Sequence, residues 1–479
     1  MIDPRLQRAD VTRLDELREI LSQQEDADRL CAIEMEKISI GHGTIKELPQ
    51  TVRHAGRGKR VLMVTGPTVI LDREGERVKE KIRDMLAEEF ELRWLVISEP
   101  GVVHATPENA AKISALLGEA DCVVGVGSGT ICDLCKYAIH DFGPAAPPLV
   151  IFQTALSVNA FSDNSSVMLI NGVKRTVHSC YPRILIVDLD VICAAPAEMN
   201  VSGYGDLIAT WTAPVDWYLA YTLGMNDVFH TAPSDLIRTQ CAELLESSEK
   251  LRAGDGETLR KLANVLTLSG LSMGLANESA PASGSEHVMS HLIDMTAGVR
   301  GTGICYHGTQ VAVSGVFSGL VWQYLLEEFD PSAVDVERCY PAPEEMERRV
   351  RAAFDWLDPE HRASGECWSD YRQKLERWYG NRDAFVSFLK NFEDFKRTVA
   401  PWVKDPAYIA SCMHKAGAPC RYRDLNYPVD AKTAVWAVTN CHLMRKRFSI
   451  VDLLNYCGVW NDAFVRKLVE RASALDAGV

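Results

Sequence analysis

Two groups of residues in this 479-residue chain have types and spacings suited to chemistry. The first is Gly127-Ser128-Gly129-Thr130, which follows the apolar run CVVGV at 122–126 and leads into a helical stretch containing Asp133 and Lys136. A glycine-rich turn at a strand-to-helix junction lets backbone approach a pyrophosphate, and the helix N-terminus offers it free N–H groups. The spacing is not G-x-G-x-x-G, so a plain tight turn is the competing reading. In the second group Asp206 stands in GYGDLIAT, His287 and His291 are four apart in SGSEHVMSH, and His307 opens HGTQV. One carboxylate and two imidazoles from separate helices hold a divalent ion and leave a position for a substrate oxygen. Taken singly, each histidine is more often a hydrogen-bonded structural residue.

The elements that must position these groups change character along the chain. Up to about residue 190, short β-branched runs alternate with amphipathic stretches, the pattern of βα units and a largely parallel sheet. The runs are 61–65, 94–98, 122–126, 148–152 and 184–188. Thr106 and Pro107 predict a helix start, with a hydroxyl cap and proline in the first turn. After Pro196 strand signals nearly vanish, and helix-period segments over 235–254 and 257–275 take over. We therefore divide the chain into an α/β domain over 1–195 and an all-α domain over 196–479. A charge- and Trp-rich stretch over about 328–410 reads as a helical insertion whose apolar residues are core and whose charges are a solvated face.

Composition narrows the function. Lys and Arg total 51 against 65 Asp and Glu, a formal charge of −14 that disfavours phosphate backbones and anionic lipid. No apolar run approaches the ~20 residues of a membrane span. The polar start MIDPRLQRAD lacks the apolar centre of a secretory signal, so a cytoplasmic protein is expected. Fourteen cysteines are scattered, and Cys132 and Cys135 have no second C-x-x-C to complete a zinc site, so free thiols are expected.

The ordered set GSGTICDLCKY, SGYGDLIATWTAPVDW, PASGSEHVMSH and HGTQV resembles the sn-glycerol-1-phosphate dehydrogenases, within the group of iron-containing alcohol dehydrogenases, glycerol dehydrogenases and dehydroquinate synthases. The resemblance covers about 33–325 and resumes at AGAPCRYRDLNYPVD and RKRFSIVDLLNYCG. It implies a Rossmann-like domain followed by a helical one in a dehydroquinate synthase-like fold, with the active site in the cleft between them. It implies that Asp206, His287 and His307 bind zinc or another divalent ion while His291 faces substrate. It makes VTGPTV the first nucleotide-binding turn, with Thr65, Gly66 and Thr68 at the cofactor beside Gly127, Ser128, Gly129, Thr130 and Asp133. Gly66 stands where strictly NAD-using relatives carry an acid, which leaves both NAD and NADP open. Thr154 and Ser157, in QTALS, match positions lining the nicotinamide.

Two departures from the family pattern bear on substrate. The strand-end segment usually reads P-T-A-P-S-M-D-G, and here its Asp is Asn159, which cannot act as a carboxylate base. In S-R-P-A-S-G the arginine is Ala280, leaving Lys174 and Arg175 of NGVKRT, read as a loop, as candidates for anion binding. The expectation is an NAD(P)-dependent, divalent-metal oxidoreductase interconverting a small polyol phosphate, or related phosphonate, with its ketone, His291 or a metal-bound water supplying the proton. A homo-oligomer is implied by the resemblance alone. A dehydroquinate-synthase-like cyclase and an inactive cofactor- and metal-binding homologue are the alternatives.

Overall fold

The computed structural model describes residues 3–479. Its strands are β1 (Lys37–Gly41), β2 (Arg60–Thr65), β3 (Glu91–Val96), β4 (Cys122–Gly127), β5 (Leu149–Gln153), β6 (Ser165–Ile170), β7 (Val173–His178) and β8 (Ile184–Asp188). Six of them form one parallel sheet in the order β1-β8-β5-β4-β2-β3. The unbroken apolar runs of β4, β5 and β8 are buried throughout, as a parallel sheet covered on both faces requires. Register brings Thr65 opposite Val126 and Gly127 opposite Gln153. The chain therefore leaves β2, β4 and β5 side by side at one edge, delivering Gly66, Ser128 and Thr154 to the place where open α/β sheets bind ligands.

The strand expected at 94–98 begins earlier, because Glu91 pairs with Arg60 and backbone register prevails over the apolar pattern. The segment with Lys174 and Arg175 is not a loop: both residues lie on β7, which pairs with β6 in a two-stranded sheet. Asn171 and Gly172 at its turn have φ of 51° and 77°, the left-handed pair that a tight hairpin demands.

The described chain gathers into two units. The first holds the chain up to Ile170, Lys174–Leu207 and His230–Ser279, and the second Asn171–Val173, Ile208–Phe229 and Ala280–Val479. In the first, the sheet is joined by helices including α1 (Val78–Ala87), α2 (Pro107–Leu117), α3 (Gly129–Phe142), α4 (Ala197–Asp206) and α5 (Gly256–Ala276). The Thr106 hydroxyl accepts from the Asn109 N–H at 3.3 Å, so α2 starts where its cap predicts.

The second unit is helical, and among the described residues no strand follows β8. It contains α6 (Ser285–Met295), α7 (His307–Glu327), α8 (Arg362–Gly380) and α9 (Ile450–Tyr456). Residues 328–410 fold as successive helices, and α8 anchors them. Trp378 is buried with its ring 4.7 Å from Tyr456 and 5.5 Å from Phe448. Lys374, also buried, lies 2.6 Å from Asp452 Oδ1, and Asp452 in turn closes a capping box with Ser449 at the start of α9.

Candidate active site

At the carboxyl edge of the sheet, the two glycine-bearing turns are built differently. A Cβ on Gly127 would lie 2.7 Å from Ile131 Cβ, so only glycine lets this turn fold against α3. The hydroxyls of Ser128 and Ser157 lie 2.7 Å apart, and the Thr154 N–H donates to the Gly127 carbonyl at 3.1 Å, joining in two pairs four of the residues expected at the cofactor. The other turn carries a cation: Lys79 of α1 donates to the Gly66 carbonyl at 2.6 Å and to that of Thr68. Burial holds the Lys79 pKa below its ordinary value. Thr65 is buried, and its hydroxyl accepts from Trp94 Nε1 at 3.0 Å.

Asp133 lies on α3 among buried charges. Lys136 donates to Ala160 O at 2.8 Å and pairs with Asp163, and all three ionisable groups are buried. Asp133 Oδ1 has no hydrogen-bond partner among the described residues. Burial pushes the Asp133 pKa up to about 7, partly offset by Lys136 and reinforced by Asp163.

Asn159 lies in the loop that Lys136 holds. Its backbone N–H donates to Asp206 Oδ2 at 2.9 Å, and its side-chain Nδ2 donates to Ser269 Oγ of α5 at 3.1 Å. Gly270 permits this approach, since a Cβ there would meet Asn159 O at 2.5 Å. The carboxylate of Asp206, at the end of α4, is thus oriented by the backbone of the residue that departs from the family pattern.

In the helical unit three imidazoles converge. The ring centroids of His287 and His307 are 5.1 Å apart, those of His291 and His307 5.4 Å, and those of His287 and His291 6.4 Å. The i, i+4 spacing puts His287 and His291 on one face of α6, and His307 enters as the first residue of α7. His287 Nδ1 lies 3.0 Å from Glu286 Oε1. Burial alone would raise the Glu286 pKa, but bonds from His287, Thr212 and the Gly284 N–H hold it below its ordinary value. A carboxylate only accepts, so His287 carries its proton on Nδ1 and has its ring lone pair on Nε2. Asp216 accepts the N–H of Ser285 at 2.8 Å and of Ile450 at 2.9 Å, fixing the starts of α6 and α9 together.

Sequence reasoning missed Glu286 and Lys79. Glu286 carried a signal, since it directly precedes His287. Lys79 carried none, because its partner turn lies 11 to 13 residues away and is met only through the fold. Among the described residues no cysteine forms a disulfide, and Cys132 and Cys135 lie buried on α3, where burial raises both thiol pKa values.

An α/β parallel sheet followed by an all-helical part places the chain in the dehydroquinate synthase-like class of folds. Glycerol dehydrogenase from Schizosaccharomyces pombe shares that architecture, with a TM-score of 0.52 at 18% identity over 91% of each chain. Residues 39–196 match the iron-containing alcohol dehydrogenase family. The chain is 29% identical over 296 residues to glycerol-1-phosphate dehydrogenase [NAD(P)+] of Bacillus licheniformis, spanning 61% of this chain and 71% of that one. It is 30% identical over 281 residues to the Methanosarcina mazei protein of the same name, spanning 58% and 74%. The chain belongs to the iron-containing alcohol dehydrogenase family.

Proposed function

We propose that this protein is a metal-dependent NAD(P) oxidoreductase acting on a CH–OH group, interconverting a small polyol phosphate of the glycerol-1-phosphate type, or a related phosphonate, with its ketone. The observation that carries the reading is the converging imidazole cluster with His287 held by its Nδ1, in a chain similar to glycerol-1-phosphate dehydrogenases. Asp206, His287 and His307 are the ligand set, and a carboxylate with two imidazoles suits zinc, the ion we assign. When bound, the ion polarises the substrate oxygen while the nicotinamide exchanges hydride with the carbon.

The remaining chemistry belongs to the chain. His291 transfers the proton of the reacting hydroxyl, because the other two rings are committed as ligands. Asn159 has its amide nitrogen on Ser269, so its Oδ1 accepts from a substrate hydroxyl. The turns at Gly66 and Gly127–Thr130 hold the dinucleotide, with Thr154 and Ser157 beside the nicotinamide. Lys174 and Arg175 on β7 supply positive charge for the substrate's anionic group. We assign the protein to the cytoplasm, where its free thiols suit a reducing compartment. The assignment as a homo-oligomer follows from the family resemblance.

The test incubates zinc-loaded protein with NADH or NADPH and a panel of keto-phosphates that includes dihydroxyacetone phosphate, reading nicotinamide absorbance and phosphate release. Net cofactor consumption is expected. Phosphate release without consumption identifies the cyclase instead, and neither signal identifies a binding protein. His287→Ala is expected to lose the bound metal while His291→Ala keeps it and loses turnover. Equal metal loss in the two sinks the assignment of His291.

A further inference from the structure

His307 differs from His287 in having no carboxylate beside it in sequence, yet a longer chain of bonds ends on it. Gln310, buried one turn along α7, donates through Nε2 to Asp294 Oδ1 at 2.7 Å, and its next acceptor is the Cys305 carbonyl at 3.4 Å. Two acceptors on that side fix the amide, so Oε1 faces the opposite way. There the Ser290 hydroxyl donates to Gln310 Oε1 at 3.1 Å. A hydroxyl has one proton. Ser290 Oγ, 3.1 Å from His307 Nδ1, therefore accepts from the imidazole and does not donate to it.

We infer that Asp294, Gln310 and Ser290 form a directional relay that locks His307 in the Nδ1–H tautomer and turns Nε2 outward as a preformed metal-ligand lone pair. The inference rests on the proposed metal-dependent function for its purpose, but the relay itself is a property of the metal-free protein. Its direction follows from one acceptor-only group: the Asp294 carboxylate orients Gln310, Gln310 orients Ser290, and Ser290 orients the ring. Ser290 and Gln310 are fully buried, so water does not substitute for either link. Glu286 does for His287 in one step what three residues on two helices do for His307. These are positioning residues, and their effect is felt through His307.

The test uses [15N]histidine-labelled full-length protein stripped of metal. Long-range proton–nitrogen correlation reads the tautomer of each ring, with His307 identified by its disappearance in His307→Gln. The expected result is an Nδ1–H tautomer at His307 in the unaltered protein. An Nε2–H tautomer there overturns the relay, and this reading needs no variant in its chain to fold. Zn2+ affinity, measured by competition with a chromophoric chelator, is expected to fall about 10- to 100-fold in Ser290→Ala, with the tautomer released, and to recover in Ser290→Thr. Unchanged affinity and tautomer in a folded Ser290→Ala also overturn the relay. If the unaltered protein shows the Nδ1–H tautomer but binds no divalent ion, the relay stands and the proposed function fails, so the two are separable.

Discussion

Replacing Asp133 by Asn should make the protein more stable the more alkaline the solution. The carboxyl is buried on α3, Oδ1 has no partner among the described residues, and its pKa is raised from 3.8 to about 7, first by burial. A carboxyl whose folded pKa lies above its unfolded one contributes stability that is complete below pH 3.8 and is lost as pH rises through about 7. With these two values the penalty for ionising Asp133 is about 1–2 kcal/mol at pH 5 and about 4 kcal/mol at pH 8.5, so about 3 kcal/mol accrues between them. Asp133→Asn removes that penalty and brings an amide whose unmet hydrogen bonds cost about 1–3 kcal/mol at every pH. The offset cancels when the two pH values are compared. Thermal unfolding of both proteins from pH 5 to 8.5 should show the variant gaining on the parent by about 6 °C, taking about 2 °C per kcal/mol for a large domain. A melting difference that stays flat across this range refutes the argument that Asp133 is a desolvated acid. The same pair of proteins titrated with NADH reports whether Asp133 also touches the cofactor, since a direct contact weakens binding.

Three further outcomes are expected. Lys79→Met removes the cation seated on the Gly66 and Thr68 carbonyls, and NADPH should weaken about tenfold more than NADH if the 2′-phosphate lies at this turn; parallel losses in a fluorescence titration refute that placement. Gly127→Ala sets a methyl 2.7 Å from Ile131 Cβ, so destabilisation of about 1–3 kcal/mol should accompany a marked loss of dinucleotide affinity, and full affinity would remove this turn from the cofactor site. Lys374→Met leaves Asp452 buried without its partner, which should destabilise the helical unit by about 3–5 kcal/mol, read as a lowered melting temperature.

How much was legible in the sequence depended on whether the deciding contact was local. The start of α2 was readable because its cap and its capped N–H are three residues apart, and the buried strands were readable because both faces are apolar. Edge strand β1 was missed: in KISIG only two residues are buried and the rest look like loop. The β6–β7 hairpin carries a strong turn signal in Asn171-Gly172, but β7 buries only Val173 and its polar run VKRTVH has the character of a loop. The helix read over 235–254 is interrupted at Ser247, whose N–H still donates to the Glu243 carbonyl at 3.2 Å but whose φ of −95° and ψ of 13° leave the helical values.

The same distinction explains the site. His287 and His291 could be placed on one helix face because a 3.6-residue period is a property of the segment itself. Glu286 was available on the same terms, one position before His287. The relay to His307 was not, because it crosses from Asp294 on α6 to Gln310 on α7, back to Ser290 on α6 and again to His307 on α7, so each link pairs residues 16 to 20 positions apart. No one of Asp294, Gln310 and Ser290 is distinctive as a residue type. What makes them a device is the order in which one fixed acceptor forces each later proton, and that order exists only once α6 and α7 are packed. Candidate ligand residues are therefore proposed from type and spacing, whereas the groups that decide which nitrogen of an imidazole carries the proton are readable only from the fold.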